Sequence, residues 1–216
     1  MRNRLLEEIT AALPVGFVED LIAAQPEIYQ QSYEATYNGP LTLADAHAEF
    51  LWPYYRRAYF ETRAMEIGGK YGLRCGIEQN ASRNHKYTII KAGRFLLTSS
   101  HVTQHLSDLQ PATFRKQHAS LNSLLPQLLM QEIIPDAIAA PGDLYAIIVH
   151  CAGWKDSEGE HPGFLKLGIP SQNNTHWEQE FEFAEILGAY PQATPSVEDQ
   201  ATVAPKWKKQ DKSQES

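Results

Sequence analysis

"HKYTIIKAGRFLLTSSHVTQHLSD", residues 85–108, decides how the chain is read. Residues 85–92 and 94–100 are rich in the β-branched and aromatic side chains that suit a pleated strand, and Gly93 with Arg94 supplies a tight turn between them. A β-hairpin is therefore expected. "LRCGIEQ" just before it reads as a further strand.

Downstream, "DLYAIIVHC" and "GFLKLGI" form a second strand pair around "AGWKDSEGEHP". That polar connection is long for a hairpin and reads as a candidate binding loop. Between the two pairs, "PATFRKQHASLNSLL" and "QLLMQEII" carry helical spacing. "WEQEFEFAEILGAY" fits either a helix, through Trp177, Phe181 and Ala184, or a strand, through the alternation of "FEF".

Upstream the period is helical. "NRLLEEITAAL" presents Leu5, Leu6, Ile9, Ala12 and Leu13 on one face and stops at Pro14. "GFVEDLIAAQ" follows, and Pro26 is expected to part it from "EIYQQSYEATY". A long segment then starts at Thr42, an N-cap with Asp45 three residues on, and ends at Gly68 and Gly69. Pro53 inside it implies a kink or a junction of two helices.

Helices first and then two hairpins give an α+β fold: an N-terminal helical segment followed by a mostly antiparallel sheet with helices packed on it. Residues 1–190 are read as one domain, with 1–70 helical and 71–190 carrying the sheet. Residues 191–216, rich in Pro, Ser, Thr, Gln and Lys without an apolar period, are read as a disordered tail. The length of 216 residues is enough to bury a core without staples.

Composition narrows the class. A hydrophobic fraction of 43% and a charged fraction of 21% exclude collagen-like and coiled-coil chains. Two cysteines, Cys75 and Cys151, do not make a disulfide framework. "MRNRLLEEIT" meets Glu7 and Glu8 before an apolar run, and nothing approaches the roughly 20 apolar residues of a membrane span. A cytoplasmic protein without membrane contact is expected.

The usual chemistries leave no signature: the sequence holds neither phosphate-cradling glycine loop nor G-x-S-x-G elbow. None of its ten lysines has a carboxylate two positions before it, as many magnesium nucleases require. His101 and His105, four apart where strand gives way to helix, could share a zinc ion with Cys75 and Cys151. Against this stand the distance between the cysteines in sequence and the lack of a glutamate between the histidines. The sequence names no cofactor. His150 and Cys151, adjacent in a strand, point to opposite faces and make a poor nucleophile pair. Asp156, Glu158, Glu160 and His161 in the polar loop are read as a solvated cluster.

Charge is more informative. Residues 75–122 hold six basic against two acidic side chains in a chain of net charge −7, whereas residues 123–190 hold two against ten. The cations fall in knots, Arg83 with Lys86, Lys91 with Arg94, and Arg115 with Lys116, accompanied by His85. If hairpin and following helix pack together, Arg83, His85, Lys86, Arg94, Arg115 and Lys116 form a ligand-binding set. The plainer alternative is that they pair with the acidic last third.

"LWPYYRRAYFETR" interleaves aromatics with arginines, which suits a helix packed on the sheet with its arginines snorkelling out. It also suits stacking on bases, or a protein interface that gives a homo-oligomer. The reading that follows is a cytosolic, non-enzymatic binding or regulatory module docking an anionic partner, a nucleic acid or an acidic protein, through the basic middle segment. The alternative is a histidine-centred or metal-dependent hydrolase using His101 and His105.

Overall fold

Gly93 turns the chain with φ of +53°, in the region that only glycine enters without strain, and the expected hairpin forms around it. In the computed structural model the described residues are 2–40, 43–102, 109, 111–125, 142–156 and 159–191. Strands β1 (Arg74–Gln79), β2 (Lys86–Ala92) and β3 (Phe95–Val102) make an antiparallel meander. Strands β4 (Leu144–Lys155), β5 (Glu160–Pro170) and β6 (Trp177–Glu182) make a second.

The two meanders are joined edge to edge in one sheet of order β1-β2-β3-β4-β5-β6. Their junction, β3 on β4, is parallel over its whole length, from Phe95↔Leu144 to Val102↔Cys151. The sheet is thus mostly antiparallel with one parallel pair at its centre, rather than purely two hairpins. A parallel neighbour needs a crossover, and the chain between β3 and β4 supplies it.

Helices α1 (Arg2–Ala12), α2 (Val15–Tyr37) and α3 (Asp45–Lys70) lie against one face. α2 passes straight through Pro26 instead of breaking there. Pro26 itself is exposed, and the buried face of α2 continues on both sides of it, from Phe17, Val18 and Leu21 to Ile28 and Tyr29. Burial along the whole helix outweighs the one backbone hydrogen bond that proline removes. α3 likewise runs unbroken through Pro53. It starts at Asp45 behind Ala44; Thr42 lies outside the described residues.

The core on this face joins Leu5, Ile9, Phe17 and Leu21 to Phe60, Ile90, Leu97, Ile148, Leu167 and Phe181. The opposite face is covered by α4 (Thr113–Ala119) and a 3-10 turn (Ser120–Leu124), which pack on Tyr87, Tyr145, Ile147 and Val149. Asn122 pins that turn. Its amide donates to the carbonyls of Tyr145 and Pro170 and accepts from the Tyr145 N–H. Residues 177–190 resolve into both expected forms: β6 is followed directly by α5 (Phe183–Gly188). The segment "QLLMQEII" and the tail from residue 192 lie outside the described residues.

The polar connection between β4 and β5 is mostly strand, and two register shifts reshape it, one between His150 and Ala152 and one between Ala152 and Lys155. Each slips the side-chain alternation by one residue. Lys155 and Glu160, partners across the hairpin end, consequently turn toward α2 and α3, Glu160 buried and Lys155 still exposed. Gly159 closes this end at φ +145°, so near α2 that a Cβ would stand 2.2 Å from the Gln30 side chain.

A cleft at the open end of the hairpin

The β2–β3 ladder runs from Ala92↔Phe95 only to Ile90↔Leu97, and toward their open end the two strands part. Glu61 of α3 reaches across the gap, accepting from Thr88 of β2 at 3.4 Å and from Ser99 of β3 at 3.2 Å. Above it lies a cleft of about 310 Å³ lined by Pro53, Tyr54 and Arg57 of α3, His85 ahead of β2, Ser100 and His101 of β3, and Ala112, Phe114 and Arg115 around α4. Among these lining residues there is no carboxylate. A second depression of about 410 Å³ shares His85, Ala112 and Phe114 with it and extends the groove along Asn80, Ser82 and Gln117.

Each lining group is held in place. Arg57 donates through Nε to Glu61, through one terminal nitrogen toward His85 Nδ1 at 3.2 Å, and through the other to the Lys86 carbonyl at 2.7 Å. Arg115 donates to the Ser99 carbonyl. The ring of Phe114 stacks on Tyr87 at 4.0 Å and on His85 at 5.8 Å. On the α3 rim Tyr54 and Phe50 are 60% and 66% exposed and pack ring to ring at 5.7 Å.

Beneath the cleft is a sealed polar cluster. Arg56, next to Arg57 but about 100° further round the helix, does not snorkel; it is 4% exposed and pairs at 2.6 Å with Glu160, also 4% exposed. Its other terminal nitrogen donates to His101 Nε2, which places the ring proton of His101 on Nδ1. His150, wholly buried, stacks on Phe60 at 3.8 Å and shares a hydrogen bond with Tyr29 through Nδ1. Its ring stands 5.4 Å from that of His101.

Burial sets the protonation states. Burial, and then the guanidinium of Arg56, hold His101 down at about 4; burial, then His101 and Arg56, hold His150 well below its ordinary value. Burial and then Arg57 lower His85. Burial pushes the Glu160 carboxyl up to about 7, against the pull of Arg56. At neutral pH the cleft presents two arginines, of which Arg57 is ion-paired from below with Glu61, and two uncharged imidazoles.

Of the residues singled out by sequence, His85 and Arg115 line the cleft. Lys86 contributes its carbonyl to Arg57 while its side chain is exposed. Arg83, at φ +57°, is exposed in the β1–β2 loop, and Lys116 is exposed in the last turn of α4. Arg94 sits at the far end of β3 beside Gly93, where it pairs with Glu8, and Lys91 pairs with Asp143. The sequence reading held Tyr54 and Arg57 only within the aromatic–arginine stretch, favoured there as a packing helix, and left them out of the ligand-binding set; it missed the inward turn of Glu160. Asp156 and His161 pair with each other at the hairpin end, and Glu158 lies outside the described residues.

The zinc arrangement is not assembled. His101 sits in a strand, not a helical turn, and His105 lies outside the described residues. Cys75 packs against Gly68 on the α3 side of the sheet. Cys151 is on the other side, as the alternation of β4 requires, with two strands between it and β1. Among the described residues no group of three or more His, Cys, Asp or Glu is placed to hold a metal ion, and no helix is long and apolar enough to cross a membrane. Comparison of the chain with family models, with curated proteins and with solved structures gives no match in any of the three.

Proposed function

We propose that the protein is a binding module that docks an anionic partner in this cleft, and that the partner is a single-stranded nucleic acid. The observation that carries the reading is the convergence of Arg57, Arg115, His85 and His101 on one groove whose lining holds no carboxylate. Phosphate oxygens are matched by guanidinium forks and by imidazole N–H groups. The exposed rings of Tyr54 and Phe50 on the adjoining rim supply stacking faces for unpaired bases. An acidic polypeptide would use the cations and leave those rings idle, which favours the nucleic acid.

With two arginines engaged, the affinity for a single strand falls with salt at a log–log slope of about −1.4. The test is anisotropy of a fluorescent oligothymidylate titrated with protein at several salt concentrations, with polyglutamate as competitor. Salt-sensitive binding that polyglutamate displaces poorly supports the reading. Binding indifferent to salt, or no binding, removes it, and equal displacement by polyglutamate assigns the cleft to an acidic protein instead.

A further inference from the structure

The end of the β4–β5 hairpin meets α2 and α3 in a box of three aromatic rings. Tyr33 and Tyr37, one turn apart on α2, have ring centroids 4.8 Å from each other and 5.7 and 5.6 Å from Trp52 of α3, which meets both nearly edge-on. The Lys155 ammonium stands 4.5 Å from the Tyr37 centroid, 4.7 Å from Trp52 and 5.1 Å from Tyr33. One of the two register shifts turns Glu160 inward, and the other brings Lys155 here. Glu160 is taken up by Arg56, and among the described residues no carboxylate lies within ion-pair distance of Lys155. Its ammonium meets the three rings directly and feels Glu160 only as a more distant charge.

That chemistry is better matched to another cation. A primary ammonium is strongly hydrated and gives up water to enter such a box. A methylated ammonium is less hydrated, keeps its full charge, and can rest against the three rings where the Lys155 ammonium stands, as quaternary ammonium groups rest against aromatic rings generally. Lys155 is an exposed residue, so its side chain can swing out to solvent without disturbing the core.

We propose that Tyr33, Tyr37 and Trp52 form a binding site for a methylated ammonium group, of the N-methyl-lysine or choline type, and that Lys155 is an internal competitor that fills the site until such a cation displaces it. The site is separate from the cleft lining and stands or falls independently of the nucleic-acid reading.

The experiment is titration of the wild-type chain and of Lys155→Ser with tetramethylammonium chloride, with sodium chloride at equal ionic strength as control. The readout is the indole N–H resonance of Trp52, assigned with Trp52→Phe. Removing a tethered competitor is expected to tighten binding by about tenfold or more, and Tyr37→Ala in the Lys155→Ser background is expected to abolish it. A folded Lys155→Ser variant whose Trp52 signal does not move, or moves equally with ammonium chloride, overturns the proposal. Should Lys155→Ser not fold, titration of the wild-type chain decides: a saturable Trp52 shift with tetramethylammonium and none with sodium supports the site, and no shift overturns it.

Discussion

Replacing Arg56 with methionine removes one half of a buried ion pair while keeping most of the side-chain volume. Arg56 and Glu160 meet at 2.6 Å with both side chains nearly inaccessible, so the variant strands a carboxyl among Tyr29, Trp52 and His101. Loss of one partner of such a pair costs about 3–5 kcal/mol. The cost depends on pH. Burial already raises folded Glu160 from its ordinary 4.5 to about 7. The folded chain therefore binds the proton more tightly than the unfolded one, and the associated stability is fully present below 4.5 and is lost as pH rises through 7.

Without Arg56 that loss continues to higher pH, and His101 is relieved of a neighbouring cation that disfavours its protonation. Urea unfolding followed by circular dichroism is thus expected to show a smaller penalty for Arg56→Met at pH 5 than at pH 8. Arg56→Met/Glu160→Leu, with no charge left to desolvate, should recover most of it. A penalty below about 1 kcal/mol, equal at both pH values, would refute the claim that this pair is sealed.

Arg115→Gln should flatten the salt dependence of oligothymidylate binding by about 0.7 in log–log slope, measured by anisotropy on protein shown to be folded; an unchanged slope would mean that Arg115 meets no phosphate. His101→Gln tests the neutral imidazole. A folded value of about 4 against an ordinary 6.5 gives stability that is present above 6.5 and lost as pH falls through 4. The substitution should remove up to about 3 kcal/mol of acid sensitivity, read as the change in urea midpoint between pH 7 and pH 4; an equal acid response in both proteins would contradict it. Asn122→Ala leaves the Tyr145 N–H and the carbonyls of Tyr145 and Pro170 without their partner. It should cost about 2–4 kcal/mol in urea melts, and a loss under about 0.5 kcal/mol would show that water replaces the amide.

The α+β class was legible because strand and helix periods differ strongly here: "HKYTIIKAGRFLLTSS" and "DLYAIIVHC" read as strands, and the first seventy residues do not. The parallel join of β3 to β4 was not, because pairing across a crossover leaves no local pattern. Pro26 was read as a break since local geometry was all the sequence offered, whereas the buried stripe of α2 decides the outcome.

The site was legible in half. The charge count singled out His85 and Arg115, but the hairpin register, continued from Ile90↔Leu97, sets His101 opposite Lys86, and the two histidines line one cleft only because the strands part beyond that pair. Arg56 and Arg57 look equivalent in sequence, yet one helical step separates a sealed ion pair from a cleft-lining cation. Glu160 reads as a loop carboxylate until the register shifts in the β4–β5 hairpin are known, and no side-chain pattern announces those shifts. The cation knots were drawn from sequence neighbours, and the fold regroups them by space: Arg115 goes to the cleft, Arg94 to Glu8 and Lys91 to Asp143.

The most direct measurement is a titration of the protein with oligothymidylate followed through the imidazole resonances of its histidines. His85 and His101 line the cleft, whereas His161 and His176 are engaged with Asp156 and Glu178 outside it. Docking in the cleft should shift His85 and His101 together, saturably, and leave His161 and His176 in place. Shifts confined to His161 or His176, or saturable binding that leaves His85 and His101 unmoved, would place the anion elsewhere and contradict the reading.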